Sequence, residues 1–354
     1  MYDYIPGIRH GTNEQQALEA LSNQLSQAGG SQQQHSDRVK PLLEIVTKSD
    51  LNMVSRYVRN FSEVFVDFPR YLSYRDNKYR DDVDSLIRNF WNDPVTFHQL
   101  NSGMSYTPTL SGTIDPIDLS NYKAMIQTLH SYFNRICIRL FIPINTYSSS
   151  QENTIREILN ELGTNDAVLA DALNVDNLST GLMPNIEFIS NEMGAQDFYV
   201  FNLFEPRDGV NYNYGPVIGK HAGVDGVGDY VLERRFPSDI PPGAFPNIPK
   251  RVRQYESTSH SLDTTEDPDY YVNAIGSMVR SGNLNPNHCQ ACQDLYDEFQ
   301  MVTSTANRID LDAGFVKRMR MNHYMYSVLN DEFPNMDAAS SASNFDSRGY
   351  NEIT

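Results

Sequence analysis

Apolar residues recur at three- and four-residue spacings along much of the chain, most clearly near its C-terminal end. In DPDYYVNAIGSMVRSG, Tyr271, Ile275, Met278 and Val279 fall on one side of a 3.6-residue helix. Cys292, Leu295, Phe299 and Val302 make a second stripe. Phe315, Met319, Met321, Tyr324, Met325 and Leu329 make a broader third. A stripe that wide needs cover from other elements. Residues 261–333 are therefore predicted to be the second half of a helical shell-type domain, with its first half upstream.

The same reading runs through the first 142 residues. MYDYIPGIRHG is interrupted by Pro6, Gly7 and Gly11 and reads as an irregular arm carrying Tyr2, Tyr4 and Ile5. Thr12 opens a helix with Gln15 as its capping-box partner. Leu18, Leu21 and Leu25 share one face of it, and Gly29-Gly30 ends it before the polar linker SQQQHSD. Residues 1–36 are thus predicted to form an N-terminal arm and assembly helix, either folded back on its own chain or docked on a neighbouring subunit. Tyr2, Tyr4, Ile5, Leu18, Leu21 and Leu25 are its assembly candidates. Burying each leucine stabilises such a contact by roughly 1.5–3 kcal/mol before ordering costs. Residues 37–142 are predicted helical over 37–66, 81–91 and 118–140, although FSEVFVDF alternates enough to be a strand. The 118–140 helix carries the widest apolar face, ending at Ile136 and Cys137.

Pro143 changes the pattern. Shorter helices are predicted at 152–162 and 165–173, and strands at 187–190 and 198–204. A glycine-rich stretch at 206–236 and a proline-rich connector at 239–249 follow. Residues 143–260 read as a smaller α/β or irregular insertion, and 334–354 as a flexible C-terminal tail. The fold class expected is mainly α.

Charge narrows the partners. The net charge is −17 over 354 residues, the wrong sign for a protein that draws its affinity from phosphate neutralisation. Lys250-Arg251-Arg253 and Lys317-Arg318-Arg320 are expected to pair with acidic protein surface. With 21 Tyr and 17 Phe, the composition suits buried contacts between subunits. Three cysteines make no disulfide framework. No apolar run approaches the roughly 20 residues that span a bilayer, and with no secretory signal recognised the chain is expected to be intracellular.

Chemistry is sparse in the pattern. Cys289 and Cys292 stand at C-x2-C spacing with His288 adjacent, so two thiolates can share a zinc ion. A closed site needs Cys137 or a histidine such as His323 brought in by folding, and a redox role is also open. With no second close pair, the cysteines are read as structural or inert, with no metal and no cofactor. Gly223, Gly226 and Gly228 superficially resemble a nucleotide loop but lack its flanking strand and helix, and are read as a surface loop. Asp310 and Asp312 are expected to cap the Phe315 helix. No nucleophile elbow or HExxH is present, so no catalytic residue is assigned and the chain is not expected to be an enzyme.

Over most of its length the chain resembles the coat proteins of small segmented double-stranded RNA viruses, the partitivirus-like group. The likeness lies in length, in the start MYDYIPGIRHG, and in the helix-rich halves around DLSNYKAMIQTLHSYFNRICIRLF and DLYDEFQMVTSTANRIDLDAGF. The resemblance implies a structural protein that self-assembles as dimers into an icosahedral capsid, with 143–260 as a protruding portion. It implies weak contact with packaged RNA and polymerase, no membrane, no cofactor, and residence in the virion and host cytoplasm. Two alternatives stand beside it: an intracellular helical scaffold or adaptor, and a soluble enzyme whose pocket is not identifiable from sequence.

Overall fold

Eight short parallel strands close into a barrel, and this replaces the mainly helical architecture expected. A computed structural model describes residues 2–8, 12–27, 37–45, 54, 56–57, 60–67, 105–112, 119–143, 145–172, 181–202, 213, 215–232, 250–305 and 310–332. The barrel strands are β1 (Asp3–Ile8), β2 (Leu42–Glu44), β3 (Phe65–Asp67), β4 (Thr107–Gly112), β5 (Cys137–Ile142), β6 (Ala167–Ala172), β7 (Asp197–Phe201) and β8 (Gly226–Asp229). They run in sequence order, each parallel to the next, and β1 pairs with both β2 and β8. Helices α1 (Thr12–Gln27), α2 (Leu119–His130), α3 (Ser149–Leu159), α4 (Leu182–Glu192) and α5 (Gly215–Ala222) follow β1, β4, β5, β6 and β7. Strand followed by helix is the repeating unit of a β/α barrel.

The strands were hidden because both of their faces are buried. Every residue of β5 (CIRLFI) and β6 (AVLADA) is buried. Parallel strands of this kind show no alternation and cannot be told by periodicity from a buried helix. The helix expected over 118–140 accordingly ends at His130, and a turn leads into β5. The helix expected over 165–173 is β6, and the strand expected at 187–190 lies within α4. The irregular arm is β1, and β2 lies near the start of the stretch expected to be helical over 37–66, whose residues 54, 56 and 57 are helical. FSEVFVDF does contain a strand, β3. The helix expected over 81–91 lies outside the described residues.

The supposed glycine loop is barrel wall. Gly226 and Gly228 belong to β8, and a Cβ on Gly228 would collide with the Ile5 carbonyl oxygen and lie 2.7 Å from the Phe201 ring. A Cβ on Gly7 would lie 2.6 Å from Phe201 Cζ. These glycines make room for the aromatic rings that fill the barrel, where Ile5, Leu42, Phe65, Cys137, Leu169, Tyr199, Phe201 and Tyr230 form one buried cluster.

After the barrel the chain forms an antiparallel hairpin, β9 (Lys250–Glu256) and β10 (Ser261–Asp267), and helices α6 (Tyr271–Ser281), α7 (Gln290–Ser304) and α8 (Ala313–Ser327). A short π-helical turn, Val328–Glu332, extends α8. These helices follow the apolar stripes read from sequence. Asp312 caps α8 by accepting from the Phe315 N–H, whereas Asp310 accepts from the Val272 N–H at the start of α6. The unit is seated on the barrel through α1, whose Leu18, Leu21 and Leu25 lie in the same buried cluster as Met321, Tyr324 and Met325 of α8. Lys317 pairs with Glu14 at 3.0 Å, and Arg251 pairs with Glu266. Behind this contact Asp229 is fully enclosed. Tyr324 donates to it at 2.5 Å, the Val231 N–H at 2.7 Å and Tyr4 at 3.1 Å.

Candidate metal centre

Folding supplies the partner that the C-x2-C spacing lacked. His288, Cys289, Cys292 and His323 come together with one potential ligand atom each, all within 4.8 Å of one another. Two helices and the turn before the first position them. Cys289 is the N-cap residue of α7 in an extended conformation, and its side chain makes no capping bond, so the sulfur turns inward. Cys292 follows one helical turn later on the same face. His323 comes from the middle of α8, which packs against α7.

Three of the four ligand atoms stand at separations close to those around one tetrahedral ion, with His288 within 4.8 Å of them. The two Sγ atoms are 3.6 Å apart, and His323 Nδ1 lies 3.2 Å from Cys292 Sγ and 3.7 Å from Cys289 Sγ. Ligands around a tetrahedral zinc with Zn–S of about 2.3 Å and Zn–N of about 2.0–2.1 Å stand roughly 3.3–3.8 Å apart.

The protons also fall where a metal needs them. His323 Nε2 lies 3.0 Å from the Tyr255 carbonyl of β9. A carbonyl only accepts, so Nε2 carries the hydrogen and Nδ1 keeps its lone pair toward the sulfurs. His288 Nε2 is held at 2.9 Å by Asp331, and its Nδ1 is buried with no hydrogen-bond partner. An imidazole backed by a carboxylate or a carbonyl is the usual support for a metal-ligating histidine. Gln254 donates to Cys292 Sγ at 3.4 Å. The hydrogen bond to Asp331, then the neighbouring Cys289 sulfur, pushes His288 up to about 10. Contact with Cys292 pulls the Cys289 thiol down, while contact with Cys289 and burial push Cys292 up.

A second polar centre sits inside the barrel at the C-terminal ends of the strands. Arg139 of β5 is fully buried. Its guanidinium reaches Glu44 at 2.8 Å, Asp67 at 2.5 Å, Asp171 at 2.6 Å and the Tyr230 hydroxyl at 2.6 Å. The Phe201 and Phe141 rings flank it at 5.2 and 5.6 Å. Three carboxylates thus meet one guanidinium out of water. Burial, opposed by Arg139, pushes Asp67 up to about 6, and Asp67 Oδ1 has no hydrogen-bond partner. The opposite end of the barrel is closed by ion pairs, with Lys40 to Asp3 at 2.8 Å and Arg135 to Glu63 and Asp197 at 2.5 and 2.6 Å.

The residues singled out from sequence scatter. Tyr2, Tyr4, Ile5, Leu18, Leu21 and Leu25 all lie in this chain's own core, with Ile5 inside the barrel. Cys137 is also inside the barrel, far along the chain from the other two cysteines and outside their cluster. The polar barrel centre was missed entirely, because its members are isolated charges within apolar runs. Its one local signal was a charged residue interrupting CIRLFI, AVLADA and LLE.

The expectation that the chain is not an enzyme is corrected by this cluster, which can hold a metal ion or cofactor. The descriptors of a helical viral structural protein are corrected with it, since the chain is an α/β barrel with a metal-capable centre. No family model matches the chain, and no curated protein matches it.

Proposed function

We propose that this protein is a zinc-binding barrel enzyme, with a metal centre that holds the C-terminal unit and a reaction centre at the C-terminal ends of the barrel strands. The observation that carries the reading is the convergence of two thiols and two imidazole Nδ1 atoms, each imidazole already backed through its Nε2. An S2N2 tetrahedron selects zinc among common ions. Four protein ligands leave no open position, so the zinc ties α7, α8 and β9 together rather than activating water. Chemistry then belongs to the barrel, whose active sites in other proteins of this architecture lie at the C-terminal ends of the strands. There Arg139 offers a fixed positive charge, and Asp67 a carboxyl that burial pushes up to about 6, suited to proton transfer.

The first test is elemental analysis of protein purified without added metal. One zinc per chain is expected, lost in Cys292→Ser. A chain that neither contains zinc nor binds it on titration overturns the metal reading. The second test screens zinc-loaded protein against chromogenic esters, phosphoesters and glycosides. Any turnover is expected to fall by about 100-fold or more in Asp67→Asn and Asp171→Asn. Undiminished turnover in folded, zinc-loaded variants places the reaction elsewhere. Assembly into a shell, implied by the viral resemblance, is a separate proposal that light scattering over a concentration series decides.

A further inference from the structure

A groove reaches the sulfur pair of the metal centre. It has a cavity volume of about 690 Å³ and runs between α1 and the start of α7, lined by Ala20, Asn23, Gln24, Cys289, Gln290 and Tyr326, among others. Of the four ligand residues only Cys289 borders it. Cys292 lies deeper, at 1% exposure against 7% for Cys289. The groove therefore leads a small solute to one sulfur of the pair and not to the other.

We propose that Cys289 and Cys292 form a peroxide-sensitive modification site, at which oxidation to a disulfide expels the bound zinc. The inference rests on the metal reading above. The Cys289 thiolate attacks one peroxide oxygen, forming an S–O bond as the O–O bond breaks. The departing hydroxide takes a proton and leaves as water. The Cys292 thiolate then attacks the Cys289 sulfur, forming the S–S bond as the S–O bond breaks, and a second protonated hydroxide leaves as water. Two thiolates supply the two electrons, and the peroxide is reduced to two waters. The sulfurs start 3.6 Å apart and must close to about 2.05 Å. Their positions one helical turn apart at a helix start let side-chain rotation and a local shift of the first turn cover that gap. A disulfide leaves two imidazoles as the only donors, too few to keep the ion. The order of events follows from the groove, since the sulfur bordering it is oxidised first and the deeper one resolves it.

The test uses the zinc-loaded full-length protein and hydrogen peroxide. Zinc content is measured first, release is followed with a chromogenic chelator, and the product is mapped by peptide mass. The expected result is loss of one zinc per chain, a Cys289–Cys292 disulfide, Cys137 still reduced, and recovery of zinc binding after treatment with a thiol reductant. Zinc retained under excess peroxide overturns the proposal, as does Cys289 driven to the sulfinic or sulfonic acid without a disulfide. Absence of zinc before oxidation overturns the metal reading instead. In Cys292→Ser, without its resolving sulfur, Cys289 is expected to stop at the sulfenic acid, trapped by dimedone; a mixed product at Cys137 would count against the pair.

Discussion

At the scale of single residues, two buried charges set the behaviour of the barrel. Arg139 has no exposed side-chain surface and faces Glu44, Asp67 and Asp171. Replacing it by Met leaves three carboxylates out of water with nothing to balance them. Arg139→Met is expected to lose about 3–5 kcal/mol of unfolding free energy at neutral pH, and less near pH 5, where Asp67, pushed up to about 6 by burial, takes up a proton. Urea unfolding at both pH values checks this. Asp229 behaves in the opposite sense to most carboxylates. Burial pushes it up to about 6, against the hydrogen bonds from Tyr324, the Val231 N–H and Tyr4. Between its ordinary value near 3.8 and about 6, the folded chain holds a proton that the unfolded chain has lost. Its contribution is therefore fully present below the lower value and is lost as pH rises through the upper one. From pH 4 to pH 7 the stability of Asp229→Asn is expected to gain on the wild type by up to about 3 kcal/mol. Parallel denaturation curves across that range measure the difference, and a constant offset would refute it.

Among elements, α7 and α8 depend on each other through the metal centre, and the barrel wall depends on its glycines. Cys289 and Cys292 belong to the first turn of α7, and His323 to the middle of α8. Cys292→Ser is expected to speed amide hydrogen exchange in α7 and in the 328–332 turn while leaving β4–β7 unchanged. Equal protection in wild type and variant would show that packing alone holds the two helices. On the barrel wall, a Cβ at Gly228 would meet the Ile5 backbone oxygen as well as the Phe201 ring. Backbone cannot swing aside as a flexible side chain can. Gly228→Ala is accordingly expected to cost 3 kcal/mol or more, roughly the upper range for overpacking, read as a lowered urea midpoint.

For the whole molecule, the question is how the C-terminal unit and the barrel share stability. They meet through α1, Tyr255 and Tyr324, in one continuous apolar cluster. The second apolar cluster, around Ile275, Leu295 and Val316, lies between the helices of the C-terminal unit. Chelation is therefore expected to lower the unfolding temperature of the entire chain rather than of the unit alone. At a free zinc concentration on the order of a thousandfold above Kd, binding contributes about 4 kcal/mol. Calorimetry with and without chelator checks this, and two separated transitions would show that the unit unfolds independently.

The sequence alone determined the helices of the C-terminal unit, because each shows water one face and keeps a 3.6-residue period. It also determined α1 with its Leu18, Leu21 and Leu25 stripe, the Asp312 cap, and the absence of a long apolar helix. Among the described residues no helix is long and apolar enough to cross a membrane. Only the tertiary structure decided the barrel. Its strands are three to six residues long and buried on both faces, so no alternation marks them. Glu44, Asp67, Arg139, Asp171 and Tyr230 stand far apart in the chain and become neighbours only when parallel pairing sets their register. The metal centre lies between these cases. The Cys289-x-x-Cys292 pair and His288 were legible because adjacent positions and one helical turn place ligands locally. His323 stood in the sequence only as one candidate beside Cys137, since a separation of 31 residues from Cys292 acquires meaning only when α8 packs against α7.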